Sequence, residues 1–191
     1  RCPVCGEWNT YVEEVVSTKS AAGGRGEFGT MEQSKVRPQR IDDIQITEES
    51  RIDLGNGELN RVLGGGLVRG SLVLIGGEPG IGKSTLILQT VLALKGQKVL
   101  YVSGEESARQ LKLRAERIGG NAPDCYIVCE TSLEDIFVHI RNVDPDIVVI
   151  DSIQTIATSA MESSPGSVGQ VRECAASLLK FAKQTNTPVL L

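Results

Sequence analysis

Long hydrophobic runs and aromatic residues are scarce in this sequence. No apolar stretch approaches the roughly 20 residues that a membrane helix needs, so we predict no membrane partner. Aromatic residues make up 4% of the 191 residues, and histidine occurs once, at position 139. A lone histidine on a predicted helix is more often a packing or surface residue than a metal ligand. The sequence therefore offers no histidine-based metal site.

An excess of positive charge is also missing. The chain has 20 Lys and Arg residues against 24 Asp and Glu residues, which gives a net charge of -4. This balance argues against binding nucleic acid through overall electrostatics, although a local basic loop is still compatible with it. Five cysteines are an odd number, and their spacing suggests no disulfide framework. We therefore expect a protein of the reducing cytosol, hence cytoplasmic.

Three zones differ in composition. Residues 1–16 contain a pair of cysteines and a short alternation of apolar and polar residues. Residues 17–40 are rich in Gly, Ser and charge, and this composition is typical of a flexible linker. Residues 41–191 alternate short apolar runs with amphipathic stretches. That alternation predicts an α/β domain.

The third zone has the pattern of a parallel sheet covered on both faces by helices. Its predicted strands are nearly continuous runs of Val, Ile and Leu, which implies burial of both strand faces. Strands are predicted at 71–77, 98–103, 125–130, 146–152 and 187–191, and helices at 84–95, 107–120, 132–143 and 167–184. Ser132 and Asp135 form a capping-box pattern at the start of the third helix.

The strongest motif is GEPGIGKST at 77–85, which matches G-x-x-x-x-G-K-[ST] between an apolar strand and a helix. The glycines let backbone N–H groups surround a β-phosphate, and the start of the helix adds its positive end. Lys83 is predicted to reach the β- and γ-phosphates, Ser84 to bind Mg²⁺ and Thr85 to contact the α-phosphate. The predicted ATP-binding residues are Gly77, Glu78, Pro79, Gly80, Ile81, Gly82, Lys83, Ser84 and Thr85. A glycine-rich turn that contains a lysine by chance is the weaker interpretation.

Carboxylates follow two of the predicted strands. Asp151 ends DIVVIDS, and beside a phosphate loop we interpret it as a Mg²⁺ residue, direct or through water. Alone, an aspartate at a strand end would mean little. Glu105 and Glu106 follow KVLYVS, and strands of such a sheet open onto one crevice. We predict Glu105 as the base that activates the attacking water, with Glu106 as the second choice. Either could instead simply favour the start of the next helix.

Cys2 and Cys5 form a C-P-x-C-G knuckle that suits zinc. A closed structural site needs four ligands, so we interpret the pair as half of a zinc ribbon. The alternative, a redox pair, lacks its βαβ context. Cys125 and Cys129 share one face of a predicted strand, and Cys174 lies in a helix, so we expect all three in the core.

Together these segments support a resemblance. The stretch 59–86 resembles the entry into a RecA-like P-loop ATPase core, as in RecA, KaiC and DnaB-type helicases. The combined motifs and their order resemble the bacterial RadA (Sms) family over the whole chain apart from the linker. The segments that carry it are CPVCGEWNT (2–10), GSLVLIGGEPGIGKST (70–85), YVSGEES (101–107), VIDSIQT (149–155) and SSPGSVGQVRE (163–173).

The resemblance implies a DNA-dependent ATPase of homologous recombination and DNA repair. Such proteins form hexameric rings on single-stranded DNA and move branched recombination intermediates by branch migration, with ATP, Mg²⁺ and Zn²⁺ as cofactors. It implies the ATP site described above, and Gln154 is a candidate sensor of nucleotide state or, equally, a solvated residue. A KaiC-like switch acting through protein partners is the alternative function.

The segment 161–173 occupies the position of a DNA-binding loop in RecA-like proteins. Its residues alone indicate an active-site or interface loop, since it has no aromatic residue for base stacking. The DNA assignment therefore rests on the resemblance. The candidate DNA contacts are Ser167, Gly169, Gln170 and Arg172.

Arg1 and the strand that ends at Leu191 lead us to expect further sequence on both sides. The resemblance implies another C-x-x-C pair before Arg1, and a Lys-Asn-Arg-Phe-Gly motif and a Lon-protease-like domain after Leu191. For the chain alone we therefore expect weak or absent ATP hydrolysis and weak zinc binding.

Overall fold

The computed structural model describes residues 40–43, 51–119 and 124–191. The chain divides into two compact units, 1–46 and 47–191. In the first unit the described part contains a short 3-10 helix, Ile41–Asp43. The predicted zinc knuckle and almost all of the predicted linker lie outside the described residues.

The second unit alternates strands and helices along the chain. Its strands are β1 (Arg51–Ile52), β2 (Leu67–Val68), β3 (Leu72–Val73), β4 (Val99–Ser103), β5 (Cys125–Cys129), β6 (Ile147–Asp151) and β7 (Val189–Leu190). Its helices are α1 (Gly57–Val62), α2 (Lys83–Ala93), α3 (Ala108–Ile118), α4 (Leu133–Val143) and α5 (Val168–Thr185), with a 3-10 helix at Ile153–Thr155. None of these helices, within the described ranges, is long and apolar enough to cross a membrane.

Five strands form one sheet in the order β3-β7-β6-β4-β5, and every neighbouring pair is parallel. This confirms the predicted α/β class with a parallel sheet flanked by helices. The register places Tyr101 beside Val149 and Ser103 beside Asp151. The carboxyl ends of β4 and β6 therefore lie side by side. Strands β1 and β2 form a separate antiparallel pair.

Alternating residues of β4 bury both faces of the sheet. Val99 and Tyr101 pack with Leu88 and Val91 of α2 and Leu111 of α3 in one apolar cluster. On the opposite face, residues of β4 and β6 pack with α4 and α5 in a second cluster, which includes Leu100, Val102, Ile136, Ile140, Cys174 and Leu178. Burial on both faces explains why these strands are apolar throughout.

Serine side chains begin three of the helices. Ser107 and Gln110 form a complete capping box at α3. At α4, the Ser132 hydroxyl accepts from the Asp135 N–H at 3.3 Å, as predicted. The Ser132 N–H, however, donates to the Glu130 carboxylate at 2.9 Å. Only one of the two hydrogen bonds of the predicted capping box therefore forms. Glu130, instead of Asp135, accepts from the Ser132 N–H.

Two predictions need correction. The strand predicted at 71–77 is limited to β3 at the edge of the sheet, and Leu74 is 67% exposed. Cys129 is exposed rather than in the core, because β5 is the outer strand on the other side. Cys125 is partly buried, and burial raises the pKa of its thiol to about 11. Cys174 is buried, as predicted.

Candidate active site

The phosphate loop ends where α2 begins. Gly80 and Gly82 have φ angles of 80° and 102°, which are strained for residues with a side chain. Gly82 precedes Lys83, the first residue of α2, and has no side chain that could cover the N–H groups of the first turn. The Lys83 ammonium donates to the carbonyls of Gly77 at 2.8 Å and Glu78 at 3.0 Å. The loop therefore holds the Lys83 amine against its own backbone, next to the N–H groups at the start of α2 that no side chain caps.

Ser84 and Asp151 meet although 67 residues separate them. The Ser84 hydroxyl donates to Asp151 Oδ1 at 3.0 Å. A hydroxyl and a carboxylate are the oxygen donors that Mg²⁺ prefers. The donor set therefore fits Mg²⁺ beside the phosphate loop, as the sequence motifs predict.

Tyr101 holds the other carboxylate oxygen of Asp151. Its hydroxyl donates to Asp151 Oδ2 at 2.6 Å. Tyr101 is completely buried, and its ring belongs to the cluster under α2 and α3. Burial first, and then the Asp151 hydrogen bond, raise the pKa of Tyr101 far above its usual value. The phenol is therefore a neutral donor at any ordinary pH.

Glu105 follows the carboxyl end of β4, beside the end of β6 that carries Asp151. Its side chain is exposed, and Oε1 accepts from the Ser152 hydroxyl at 2.7 Å. Ser152 directly follows Asp151, across a cis peptide bond. Glu105 therefore hydrogen-bonds the residue that follows Asp151, while its side chain stays exposed.

Gly104 allows this approach. A Cβ atom on Gly104 would lie 1.8 Å from Thr155 Oγ1, far inside contact distance. The Gly104 N–H donates to the Asp151 carbonyl at 3.0 Å, and the Thr155 hydroxyl donates to the Ser152 carbonyl at 2.8 Å. The turn after β4 can thus pack directly on the turn after β6, which brings Glu105 to Ser152.

Glu106 is engaged elsewhere. Its carboxylate forms a close ion pair with Arg114 of α3, and both side chains are about three-quarters buried. Its backbone N–H donates to the Ser103 hydroxyl at 3.0 Å. Glu106 therefore anchors the start of α3 to β4, while Glu105 stays accessible.

Gln154 and Thr85 have exposed side chains. Gln154 lies in the 3-10 helix after β6, two residues beyond Ser152. Thr85 lies in the first turn of α2, next to Ser84. Both positions lie near the phosphate loop and the carboxyl end of β6. The sensor role of Gln154 and the α-phosphate contact of Thr85 remain predictions.

The candidate DNA contact Gln170 requires correction. It is 1% exposed, and its amide oxygen accepts from the Thr158 N–H at 2.9 Å. Its amide nitrogen donates to the carbonyls of Thr158, Met161 and Ser163 at 3.2, 3.2 and 2.9 Å. A side chain committed to four backbone partners is a structural support for the preceding loop and cannot also bind a phosphate.

The other three candidate DNA contacts in this segment differ in how exposed they are. Ser167 is the N-cap of α5, where its hydroxyl accepts from the Gln170 N–H at 3.4 Å. Gly169 lies in the first turn of α5 and is partly buried. Arg172 is exposed on α5. Of the four, Arg172 presents a charged group to solvent.

Glu134 of α4 fixes the same loop from the opposite direction. Its Oε1 accepts from the Thr158 hydroxyl at 2.7 Å and from the Ser159 N–H at 3.1 Å. Burial opposes ionisation, but these hydrogen bonds together hold the pKa of Glu134 below its usual value. The loop after β6 is thus held by an ionised carboxylate and a buried amide.

Sequence reasoning missed Tyr101, Gly104, Ser152 and Arg114. Part of a signal existed for Tyr101, because a buried phenol in an apolar strand needs a hydrogen-bond partner. The pairing of β4 with β6, which identifies Asp151 as that partner, required the structure. No comparable signal existed for Arg114, whose partner depends on how α3 packs.

The described residues contain no group of three or more His, Cys, Asp or Glu side chains that could hold a metal ion. Cys2 and Cys5 lie outside the described part of the chain, so the zinc interpretation stays a prediction. Cys125, Cys129 and Cys174 are free thiols.

Comparison with known proteins agrees with this geometry. Residues 35–191 match the family described as AAA domain. The chain is 51% identical to the DNA repair protein RadA of Bacillus subtilis, over 193 aligned residues that cover 100% of this chain and 42% of the relative.

It is also similar to the RadA proteins of Listeria monocytogenes (49% identical) and Pseudomonas aeruginosa (45% identical). Both alignments cover 100% of this chain, and they cover 41% and 42% of those relatives. The chain thus spans about two-fifths of their length, and the resemblance to RadA is confirmed over that span. The chain belongs to the AAA domain family.

Proposed function

We propose that this chain is the ATP-binding and ATP-hydrolysing core of a DNA repair ATPase. The observation that supports the proposal most strongly is the 3.0 Å hydrogen bond from Ser84 to Asp151. Two motifs 67 residues apart would not converge on one oxygen donor pair next to a glycine-rich phosphate loop by chance.

In this proposal, Lys83 and the N–H groups of the loop bind the phosphates of ATP. The Lys83 ammonium leaves the carbonyls of Gly77 and Glu78 and donates to phosphate oxygens instead. Since those carbonyls already hold the amine near the loop, little reorganisation is needed. The positive end of α2 adds to the attraction.

Ser84 and Asp151 would hold Mg²⁺, Ser84 directly and Asp151 directly or through water. When bound, Mg²⁺ neutralises developing charge on the phosphate oxygens. Tyr101 and Ser84 engage different oxygens of Asp151, so the carboxylate is oriented before any ligand arrives.

Glu105 would act as the base. It accepts a proton from water as the water oxygen bonds to the γ-phosphorus and the bond to the ADP oxygen breaks. The Ser152 hydroxyl occupies Oε1, which leaves Oε2 for the water. The ion pair with Arg114 ties Glu106 to α3, which favours Glu105 for this role.

We further propose that the whole protein uses this ATPase on DNA, with single-stranded DNA and branched recombination intermediates as partners. The support is the name that the relatives carry, DNA repair protein, together with the exposed Arg172. A ring of subunits, a hexamer by resemblance, branch migration, a zinc ribbon at Cys2 and Cys5, and a cytoplasmic location complete the proposal.

The test is ATP turnover by the full-length protein with and without single-stranded DNA. Lys83→Ala should lower turnover by at least about 100-fold, because it removes charge that stabilises the transition state. Lys95→Ala is the matched control, since Lys95 is exposed just after the other end of α2. It should leave turnover unchanged.

DNA dependence decides between the two functions. We expect single-stranded DNA to increase turnover at low salt. If DNA changes neither turnover nor binding, while nucleotide controls the capture of a protein partner, the DNA proposal is wrong and the KaiC-like switch replaces it.

A further inference from the structure

Tyr101 offers the clearest feature that the predicted motifs do not use. Its ring fills the apolar cluster between the sheet and helices α2 and α3, and it is the largest fully buried side chain among the described residues. A phenylalanine would fill the same space. The hydroxyl therefore needs a reason beyond packing, because burying it requires a partner.

That partner is the carboxylate on which the metal site depends. The Tyr101 hydroxyl donates to Asp151 Oδ2 at 2.6 Å, and the Ser84 hydroxyl donates to Oδ1 at 3.0 Å. The two donors come from neighbouring parts of the molecule, strand β4 and helix α2. The parallel register of β4 and β6 fixes the position of Tyr101 relative to Asp151.

These contacts determine how the carboxylate is rotated. An aspartate side chain at a strand end can turn about its last torsion, since that torsion is broad for a carboxylate. A short hydrogen bond to Oδ2 restricts the rotation and directs Oδ1 toward Ser84. Without the phenol, Oδ2 would lose a buried donor and the carboxylate could turn away.

We propose that Tyr101 is a positioning residue for the Mg²⁺ site, one that holds Asp151 so that Oδ1 faces Ser84. The inference rests on the proposed function, because it assigns a role within the same nucleotide site. It predicts that the phenol acts on binding of nucleotide with Mg²⁺ and leaves Mg²⁺-free binding unchanged.

The experiment measures binding of a fluorescent ATP analogue to the purified chain, as a function of Mg²⁺ concentration and in EDTA. The variant is Tyr101→Phe, which removes one buried oxygen and keeps the ring. The control is Tyr126→Phe, because Tyr126 lies on the adjacent strand β5 and is 47% exposed. Thermal unfolding of each variant is recorded in parallel.

We expect Tyr101→Phe to raise the Mg²⁺ concentration for half-maximal binding by about ten- to hundredfold, the effect of one hydrogen bond to a charged group. Binding in EDTA should not change, and Tyr126→Phe should match the wild type. In an Asp151→Asn background, Tyr101→Phe should have no further effect on the Mg²⁺ dependence.

Three results would overturn the inference. They are an unchanged Mg²⁺ dependence, an equal loss of binding with Mg²⁺ and in EDTA, and a Tyr101→Phe chain that does not fold. The last two would make the hydroxyl a requirement of the core. Failure of the proposed function would look different, because the wild-type chain itself would then show no Mg²⁺-dependent nucleotide binding.

Discussion

Predictions from the sequence succeeded to different degrees in two regions. One is the phosphate end of the sheet, where the phosphate loop 77–85 and the carboxyl ends of β4 and β6 lie. The other is the loop region 156–173, which follows β6 and includes the first turns of α5. At the phosphate end, Ser84 and Asp151 are far apart in sequence and meet at 3.0 Å. In the loop region, the candidate contacts lie close together in sequence, yet Gln170 turns inward onto the backbone. Sequence proximity was therefore a poorer guide to a shared surface than strand topology.

The reason is geometric. Parallel strands bring their carboxyl ends to one end of the sheet, and β4 and β6 pair directly, so the residues that end these two strands are neighbours. A loop has no such rule, and the direction of each side chain depends on the path of the backbone. Gln170 and Glu134 hold that path through hydrogen bonds to residues 158–163.

The largest expected loss of stability comes from placing a side chain between the turn after β4 and the turn after β6. Gly104→Ala places a Cβ atom 1.8 Å from Thr155 Oγ1, so the two turns must separate. We expect a loss of about 3 kcal/mol in the free energy of unfolding, the upper range for overpacking. Denaturant unfolding measures it.

Gly57→Ala is the control for this change, because a Cβ atom there meets nothing within 4 Å. Thr155→Gly should restore part of the stability of Gly104→Ala, since it removes the opposing side chain. Equal stability of Gly104→Ala and the wild type would show that the turns do not depend on this close contact.

Gln170→Leu tests whether the loop region depends on the buried amide. The change leaves the Thr158 N–H and three carbonyls without their partner, so we expect a loss of about 2 kcal/mol in the free energy of unfolding. Gln184→Leu, at an exposed site on the same helix, should cost little. If both variants unfold alike, Gln170 is not the support we describe.

Glu134 should make the stability of the loop region depend on pH. Its pKa is lower in the folded chain than in the unfolded one, so its contribution is complete above the unfolded value, about 4.3. The contribution falls as pH decreases from there toward the folded value. The stability difference between wild type and Glu134→Gln should therefore stay constant from neutral pH to about pH 5 and shrink as the pH falls below about 4, as urea titrations at each pH can measure. A difference that stays constant throughout would contradict this.

Arg172→Ala should have the smallest effect, a change in how DNA binding depends on salt. It tests whether the loop region contacts DNA at all. If Arg172 contacts one phosphate, the slope of log binding constant against log salt should decrease in magnitude by about 0.7 for single-stranded DNA. Lys180→Ala, another exposed cation of α5, is the control. An unchanged slope in Arg172→Ala would remove the last charged DNA candidate of the segment.

Much of the phosphate end was predictable, because its parts follow from motif spacing and the parallel sheet. The strand order beyond that, the short edge strand β3 and the exposed Cys129 were not. They depend on which strands occupy the edges of the sheet, and strand composition alone does not reveal that. The apolar run at 71–77 looked like a buried strand, yet Leu74 is 67% exposed.

The distinction between Glu105 and Glu106 also required the structure. Both follow β4 and carry the same charge, so position in the sequence favours neither strongly. Arg114, eight residues beyond Glu106 on α3, engages Glu106, while Ser152 after β6 engages Glu105. Tertiary packing therefore assigns the two carboxylates different partners.

The most direct test is single-turnover ATP hydrolysis by the Glu105→Gln and Glu106→Gln variants of the full-length protein at saturating Mg²⁺ and ATP, with nucleotide affinity measured separately. We predict that Glu105→Gln binds ATP normally and hydrolyses it about 10²- to 10⁴-fold more slowly, the contribution of a general base. Glu106→Gln should lower the free energy of unfolding, with a smaller effect on the rate of hydrolysis than Glu105→Gln has. Normal hydrolysis by Glu105→Gln, with the loss of the chemical step in Glu106→Gln instead, would contradict this prediction.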